Sequence, residues 1–179
     1  MSQRKCHVVY PGVYEASEEK FAESFALPGV KGSPRLLVGR REWLSLPGIG
    51  VASVHAKVDT GARSSSLHAE DIRTFEKEGV LWVSFLTHER HGRRITCETP
   101  VKHHKKVKSS NGIAQERVFI ETLARSPGGN EWPVVLSLSG RGEMKCPLLL
   151  GREALSGRFV VDTQRTNLLG SIAQLERAK

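Results

Sequence analysis

The chain has 179 residues, enough for one domain with a substantial core, and its 39% hydrophobic and 26% charged residues are ordinary for a globular protein. No apolar run approaches membrane-spanning length and Met1–His7 leads into no signal-like apolar segment, so a cytoplasmic protein without a membrane partner is expected. The 27 Lys+Arg against 19 Asp+Glu give a net charge of +8, a surplus that draws nucleic acid, an anionic surface or an acidic polypeptide, or that serves solubility alone.

Residues 1–34 read as an N-terminal arm, 35–171 as the folded domain and 172–179 as a C-terminal tail. Within the arm, Ser17–Phe25 suits a short helix capped by Ser17 and ended by Pro28-Gly29. Pro34 then precedes Leu36-Leu37-Val38, the expected first strand of the core. Val54, Ala56 and Val58 alternate with His55 and Lys57, which predicts a half-buried strand delivering Asp59 onto a tight turn. In that turn Gly61 offers backbone angles closed to other residues, and Thr60 offers a hydroxyl that donates and accepts. An ordinary turn after a strand is the plain alternative.

Further strand-like runs follow at Val80–Leu86, Arg94–Cys97, Arg117–Leu123 and Trp132–Leu138, with Pro127–Asn130 and Ser139–Gly142 as turns. Between them lies the densest basic run, Lys102–Lys108, and then Ser109-Ser110-Asn111-Gly112. Asn-Gly is a strong hairpin signal, so Lys105, Lys106 and Lys108 are placed on an arm that returns through Glu116 and Arg117 and could cover a cleft as a flap. Leu148–Leu150 enters the core and ends at Gly151 before a helix opening at Arg152–Leu155. Phe159–Asp162 and Asn167–Leu169 suggest a closing hairpin. Only the stretches after Arg63, after Gly151 and near the C-terminus invite helix. Many short strands at close spacing argue an all-β barrel or sandwich.

Cys6, Cys97 and Cys146 show no paired spacing and read as reduced thiols. No Ser–His–Asp or Cys–His arrangement stands out. His-Glu-x-x-His and Cys-x-x-Cys are absent, His88 and His91 lie three apart, and His103 and His104 would point to opposite faces of a strand. No catalytic zinc and no other cofactor is therefore expected, and no Gly-x-x-x-x-Gly-Lys-Ser/Thr loop for ATP is present.

Asp59-Thr60-Gly61-Ala62, followed far downstream by Leu149-Leu150-Gly151-Arg152, resembles the retropepsins. The run Ala56–Ala69 is closer still to a bacterial branch, the RimB-type retropepsin-like aspartic peptidases often labelled ATP-dependent zinc proteases. Arg41-Glu42-Trp43, Thr96-Cys97-Glu98, Glu131-Trp132-Pro133 and Gly157–Asp162 continue the match over about residues 36–170. The resemblance implies an all-β, retropepsin-like closed barrel with one or two short helices, and an aspartic peptidase built around Asp59, Thr60 and Gly61. Two carboxylates sharing one proton would activate water, so Asp59 needs a partner. Asp162-Thr163-Gln164 lacks the turn glycine, and a homodimer placing Asp59 beside its symmetry mate is the expectation.

Leu150, Gly151 and Arg152 are expected to support the site. Ala62, Arg63, Lys57, Lys105, Ser110 and Arg117 are candidates for substrate binding. Arg63 could grip a substrate carboxylate or fix the turn as an ion pair, and Lys57 could border the cleft or face water. Relatives of this branch are linked to removal of oligoglutamate tails placed on a ribosomal protein by an ATP-grasp ligase, which makes an acidic, glutamate-tailed substrate the expectation. A non-catalytic module on the same barrel, capturing acidic tails or RNA, is the alternative. The low aromatic content, 6%, argues against its RNA form.

Overall fold

The structure, a computed structural model, describes residues 24–25, 35–108, 114–140 and 145–177. These form thirteen strands. The first six are β1 (Ser24–Phe25), β2 (Arg35–Gly39), β3 (Arg41–Leu46), β4 (Val51–Val58), β5 (Ser65–His68) and β6 (Glu70–Lys77). There follow β7 (Val80–His88), β8 (Arg94–Pro100), β9 (His103–Lys108), β10 (Ala114–Arg125), β11 (Glu131–Ser139), β12 (Leu148–Leu150) and β13 (Phe159–Asp162). Two short α-helices, α1 (Arg152–Leu155) and α2 (Ile172–Arg177), and two 3-10 turns, Pro47–Ile49 and Arg90–Gly92, complete the described elements.

A closed barrel runs β11-β5-β12-β4-β3-β10 and returns to β11 through the β10–β11 pairing. Of the two all-β expectations, barrel and sandwich, the barrel is the one formed. Closure leaves these strands without a free edge. Strand alternation turns Val54, Ala56 and Val58 of β4 inward while Lys57 faces out. They meet Leu44, Leu67, Ile120, Leu136 and Leu148 in one continuous apolar core, within which each of these five is fully buried.

The decisive connection is at β12. It pairs in parallel with β4 and antiparallel with β5, so it separates two strands that are consecutive in sequence. Residues 59–64 must therefore arch past the end of β12, where Gly151 leaves the sheet. A second sheet, β6-β7-β8, leaves the barrel at the β5–β6 junction, and a third has the order β1-β2-β13.

Three expectations are corrected. The stretch after Arg63 forms β5 instead of helix, because its residues complete the barrel between β11 and β12. Phe159–Asp162 pairs in parallel with β2, not with Asn167–Leu169. Ser24–Phe25 is a strand on β2 and not the end of a helix, and the rest of the expected Ser17–Phe25 helix lies outside the described residues.

Glu42 explains why 167–169 is not a strand. Its carboxylate, wholly buried, accepts Gly39 N at 2.6 Å, Leu168 N at 3.0 Å and Leu169 N at 3.1 Å. Those N–H groups are turned toward the carboxylate, which ties the chain's return segment to β3. Burial pushes the Glu42 carboxyl above its usual range, while the three backbone donors pull it back. α2 packs against β3 and β4, with Leu175 buried and Glu176 2.7 Å from Arg90.

Glu42→Gln keeps one acceptor oxygen but turns an amide N–H₂ toward Leu169 N. Urea denaturation is expected to show a loss of about 1–3 kcal/mol, the cost of an unmet buried polar group. A midpoint equal to wild type would show that the carboxylate does not hold this segment.

Candidate active site

Asp59 follows β4 directly, and its own N–H donates to Leu150 O at 2.9 Å, the last rung between β4 and β12. Oδ1 then accepts Gly61 N at 3.0 Å and Ala62 N at 3.1 Å. This is the hydrogen-bonded Asx turn that aspartate forms readily. Asp59 is half-buried, whereas Thr60 and Gly61 are exposed at the rim. The carboxylate is thus held in one orientation at the mouth of the barrel without being entombed.

The glycine requirement differs from the sequence expectation. Gly61 is not among the residues with positive φ. Its constraint is close approach: a Cβ at this position would stand 3.3 Å from Asp59 Oδ1. Small size, not backbone freedom, is what the turn uses.

The β12–α1 corner locks the turn from outside. Arg152 Nη1 donates to Thr60 O at 3.1 Å and to Gly61 O at 2.7 Å, and Arg152 N donates to Ala62 O at 2.9 Å. Glu153 N reaches Arg63 O at 3.0 Å, and Gly151 N donates to Ser65 Oγ at 3.0 Å. Gly151 lies so close to the turn that a Cβ would be 2.5 Å from Ser64 O. Leu150, Gly151 and Arg152 are thereby placed against the backbone of the Asp59 turn.

Arg63 forms an ion pair with Glu153 at 2.9 Å, and both side chains are largely exposed. Such a pair contributes at most about 1 kcal/mol. Lys57 faces outward beside Arg41, its cross-strand partner. Lys105 and Arg117 are directly opposite one another on β9 and β10, the hairpin expected of the Asn-Gly region. Ser110 lies outside the described residues. Asp162 caps its own turn, with Oδ1 accepting Gln164 N at 2.8 Å and Arg165 N at 3.3 Å, on a sheet other than that of β4.

Two constellations escaped sequence spacing. Cys146 Sγ lies 3.7 Å from His55 Nδ1, and Trp43 stacks on the imidazole at 4.5 Å. Burial raises the thiol and lowers the imidazole, so both favour neutral forms, opposite to an activated thiolate–imidazolium pair. Cys97 is pushed up to about 11 by burial and then by Glu89. Neither thiol is suited to nucleophilic attack.

The other constellation is His68, Glu70 and His88, whose ligand atoms all lie within 4.8 Å of one another. The His68 hydrogen bond, followed by Arg94 and the other imidazole, holds the Glu70 carboxyl below its usual range. His68 and His88 are twenty apart in sequence and meet through strand pairing, so no short histidine spacing marks them.

Residues 37–170 match the family model described as RimB-like, retropepsin-like aspartic endopeptidase RimB, and the chain belongs to that family. Among similar curated proteins is a probable alpha-L-glutamate ligase of Shewanella pealeana, 41% identical over 145 residues that make up 79% of this chain and 31% of the relative. A probable alpha-L-glutamate ligase of Parasynechococcus marenigrum is 40% identical over 144 residues, covering 78% of this chain and 30% of the relative. The chain thus spans less than a third of the length of these relatives. A crystal structure of a Legionella pneumophila protein of unknown function aligns with a TM-score of 0.63 and 27% identity, covering 74% of this chain and 97% of that one.

Gly151→Ala would drive Cβ into the Ser64 carbonyl, whereas Gly61→Ala meets only a side-chain oxygen at 3.3 Å. Chemical denaturation is expected to show a loss of about 1–3 kcal/mol for Gly151→Ala and a smaller loss for Gly61→Ala. Equal losses would contradict the tight seating of Gly151 beneath the turn.

Proposed function

We propose that this RimB-like chain is an aspartic peptidase that hydrolyses an acidic, glutamate-bearing polypeptide, with Asp59 paired to Asp59 of a second copy. The observation that carries the reading is the orientation of Asp59: a rim carboxylate fixed by two backbone donors, one per chain. Chemistry of this type needs two carboxylates sharing one proton. The ionised member takes a proton from water as the water attacks the scissile carbonyl, and the protonated member donates to that carbonyl oxygen. The pair titrates as a unit. Asp162 is engaged in its own turn, so an isologous dimer is the simplest source of the second group.

Charge supports the choice of substrate. Arg41 and Lys57 stand together on the outer face of the strands that lead to Asp59, and Arg63 follows the turn. A glutamate side chain would displace Glu153 from Arg63 at small cost because the pair is exposed. Lys105 and Arg117 extend the cationic character along the β9–β10 hairpin, and Ser110 falls within its connecting segment. The relatives that carry a similar segment are named glutamate ligases, which favours a glutamate-containing chain as the shared ligand. That same name supports a second reading, in which the segment holds an acidic tail without cutting it.

Wild type and Asp59→Asn are to be incubated with a peptide ending in a run of glutamates and read by mass spectrometry. Wild type is expected to cleave within or at the base of the run, Asp59→Asn to lose at least ~1,000-fold in rate, and both to bind, since oxyanion and dyad groups supply factors of this order. Binding without turnover by wild type would favour the holding module, and full turnover by Asp59→Asn would remove Asp59 from the chemistry. Turnover is also expected to fall as salt rises through the range in which charge attraction is screened.

A further inference from the structure

The junction between the barrel and the β6-β7-β8 sheet gathers groups for which the Asp59 site has no use. His68 ends β5, Glu70 opens β6, and buried Ala69 between them puts both side chains on one side of the chain. Glu70 is opposite Leu86 on β7, so His88, two residues further along, is its diagonal neighbour on the same face. Backbone pairing, not side-chain chance, produces the convergence. Thr87 Oγ1 donates to His68 O at 2.7 Å in the buried layer beneath and keeps β7 in register with the end of β5.

The distances suit an ion. His68 Nε2 is 3.1 Å and His88 Nε2 4.0 Å from Glu70 Oε1, and the two imidazoles lie 5.0 Å apart between centroids, tilted by 48°. Ligands on a tetrahedral zinc, with bonds of about 2.0–2.2 Å, stand about 3.4 Å from one another. The two observed spacings bracket that value, so modest side-chain rotations would bring three ligand atoms onto one centre. Two imidazoles and one carboxylate form a donor set that zinc and similar borderline divalent cations prefer over magnesium or calcium.

We propose that His68, Glu70 and His88 form a binding site for one divalent transition-metal ion, zinc in the first instance, that clamps the outer sheet to the barrel. The ion replaces the His68–Glu70 hydrogen bond with two coordinate bonds and draws His88 in as the third ligand. Arg94 Nη2 holds Glu70 Oε2 at 3.0 Å, which leaves Oε1 for the metal and fixes the carboxylate plane. A charged second-sphere partner of this kind orients a ligand while its positive charge lowers the affinity. The fourth position is open to water. Because the ligands come from β5, β6 and β7, the bound ion adds a polar tie between two sheets that already share the apolar core through Val83 and Phe85 and the Thr87 hydrogen bond.

The test is zinc binding by the full chain, followed by isothermal titration and by the visible spectrum of the cobalt-substituted protein. His88→Ala removes a part-exposed ligand, and Glu70→Gln keeps the shape of the central one. The expected result is one ion per wild-type chain, cobalt bands of low-symmetry nitrogen and oxygen coordination, and at least ~100-fold weaker binding by each variant. Zinc is also expected to raise the melting temperature of wild type but not of His88→Ala. Absence of binding by wild type, or equal binding by wild type and both variants, would overturn the proposal. Neither outcome touches the role of Asp59, which is read by peptide cleavage.

Discussion

The interlock between the Asp59 turn and the β12–α1 corner is the constraint on which the rest depends. Asp59 reaches Leu150 through its backbone, Arg152 reaches back to Thr60 and Gly61, and Gly151 occupies space that no larger residue could share with Ser64. Segments some ninety residues apart in sequence thus become one structural unit. A carboxylate held this way loses little orientational freedom when it meets a substrate, which is the condition for positioning to assist chemistry. Arg152 Nη1 matters here because one nitrogen serves two carbonyls that would otherwise be left to water at the base of the turn.

The barrel makes this unit possible. β12 can sit between β4 and β5 only because the chain leaves β4 over its end and returns as β5 on the far side. Glu42 performs a comparable task at the other connection, gathering three N–H groups where the chain comes back to β3. In both places a polar side chain satisfies backbone outside the strand ladders, in the buried interior at Glu42 and at the exposed rim at Arg152. The apolar core supplies the bulk of the driving force, and these two clasps specify the path between strands.

Much of this architecture was legible in the residues. The alternation Val54-His55-Ala56-Lys57-Val58 announced β4, Asn111-Gly112 announced the β9–β10 hairpin, and Leu148–Leu150 with Gly151 announced the second half of the interlock. The order of matching blocks pointed to the family. Other features were not legible, for identifiable reasons. Ser65–His68 carries no alternation, and all four of its residues are buried, so neither face of the strand is marked by exposed polar positions. The parallel pairing of β13 with β2 joins strands far apart in sequence, while Glu42 takes the N–H groups of Leu168 and Leu169. The His68–Glu70–His88 and Cys146–His55 contacts arise from register between distant strands, which no local spacing encodes. The role of Gly61 was misread because steric approach to Asp59 leaves no mark on the sequence distinct from backbone freedom.

The central claim is that two Asp59 carboxylates, one from each of two copies, act on one bond. It is tested most directly by mixing wild type with Asp59→Asn in varied proportion, letting subunits exchange, and measuring cleavage of a glutamate-tailed peptide per total protein. A dyad shared across the twofold makes the mixed dimer inactive, so activity falls as the square of the wild-type fraction. Activity that falls in simple proportion to that fraction would contradict the account, because each chain would then carry a complete site of its own.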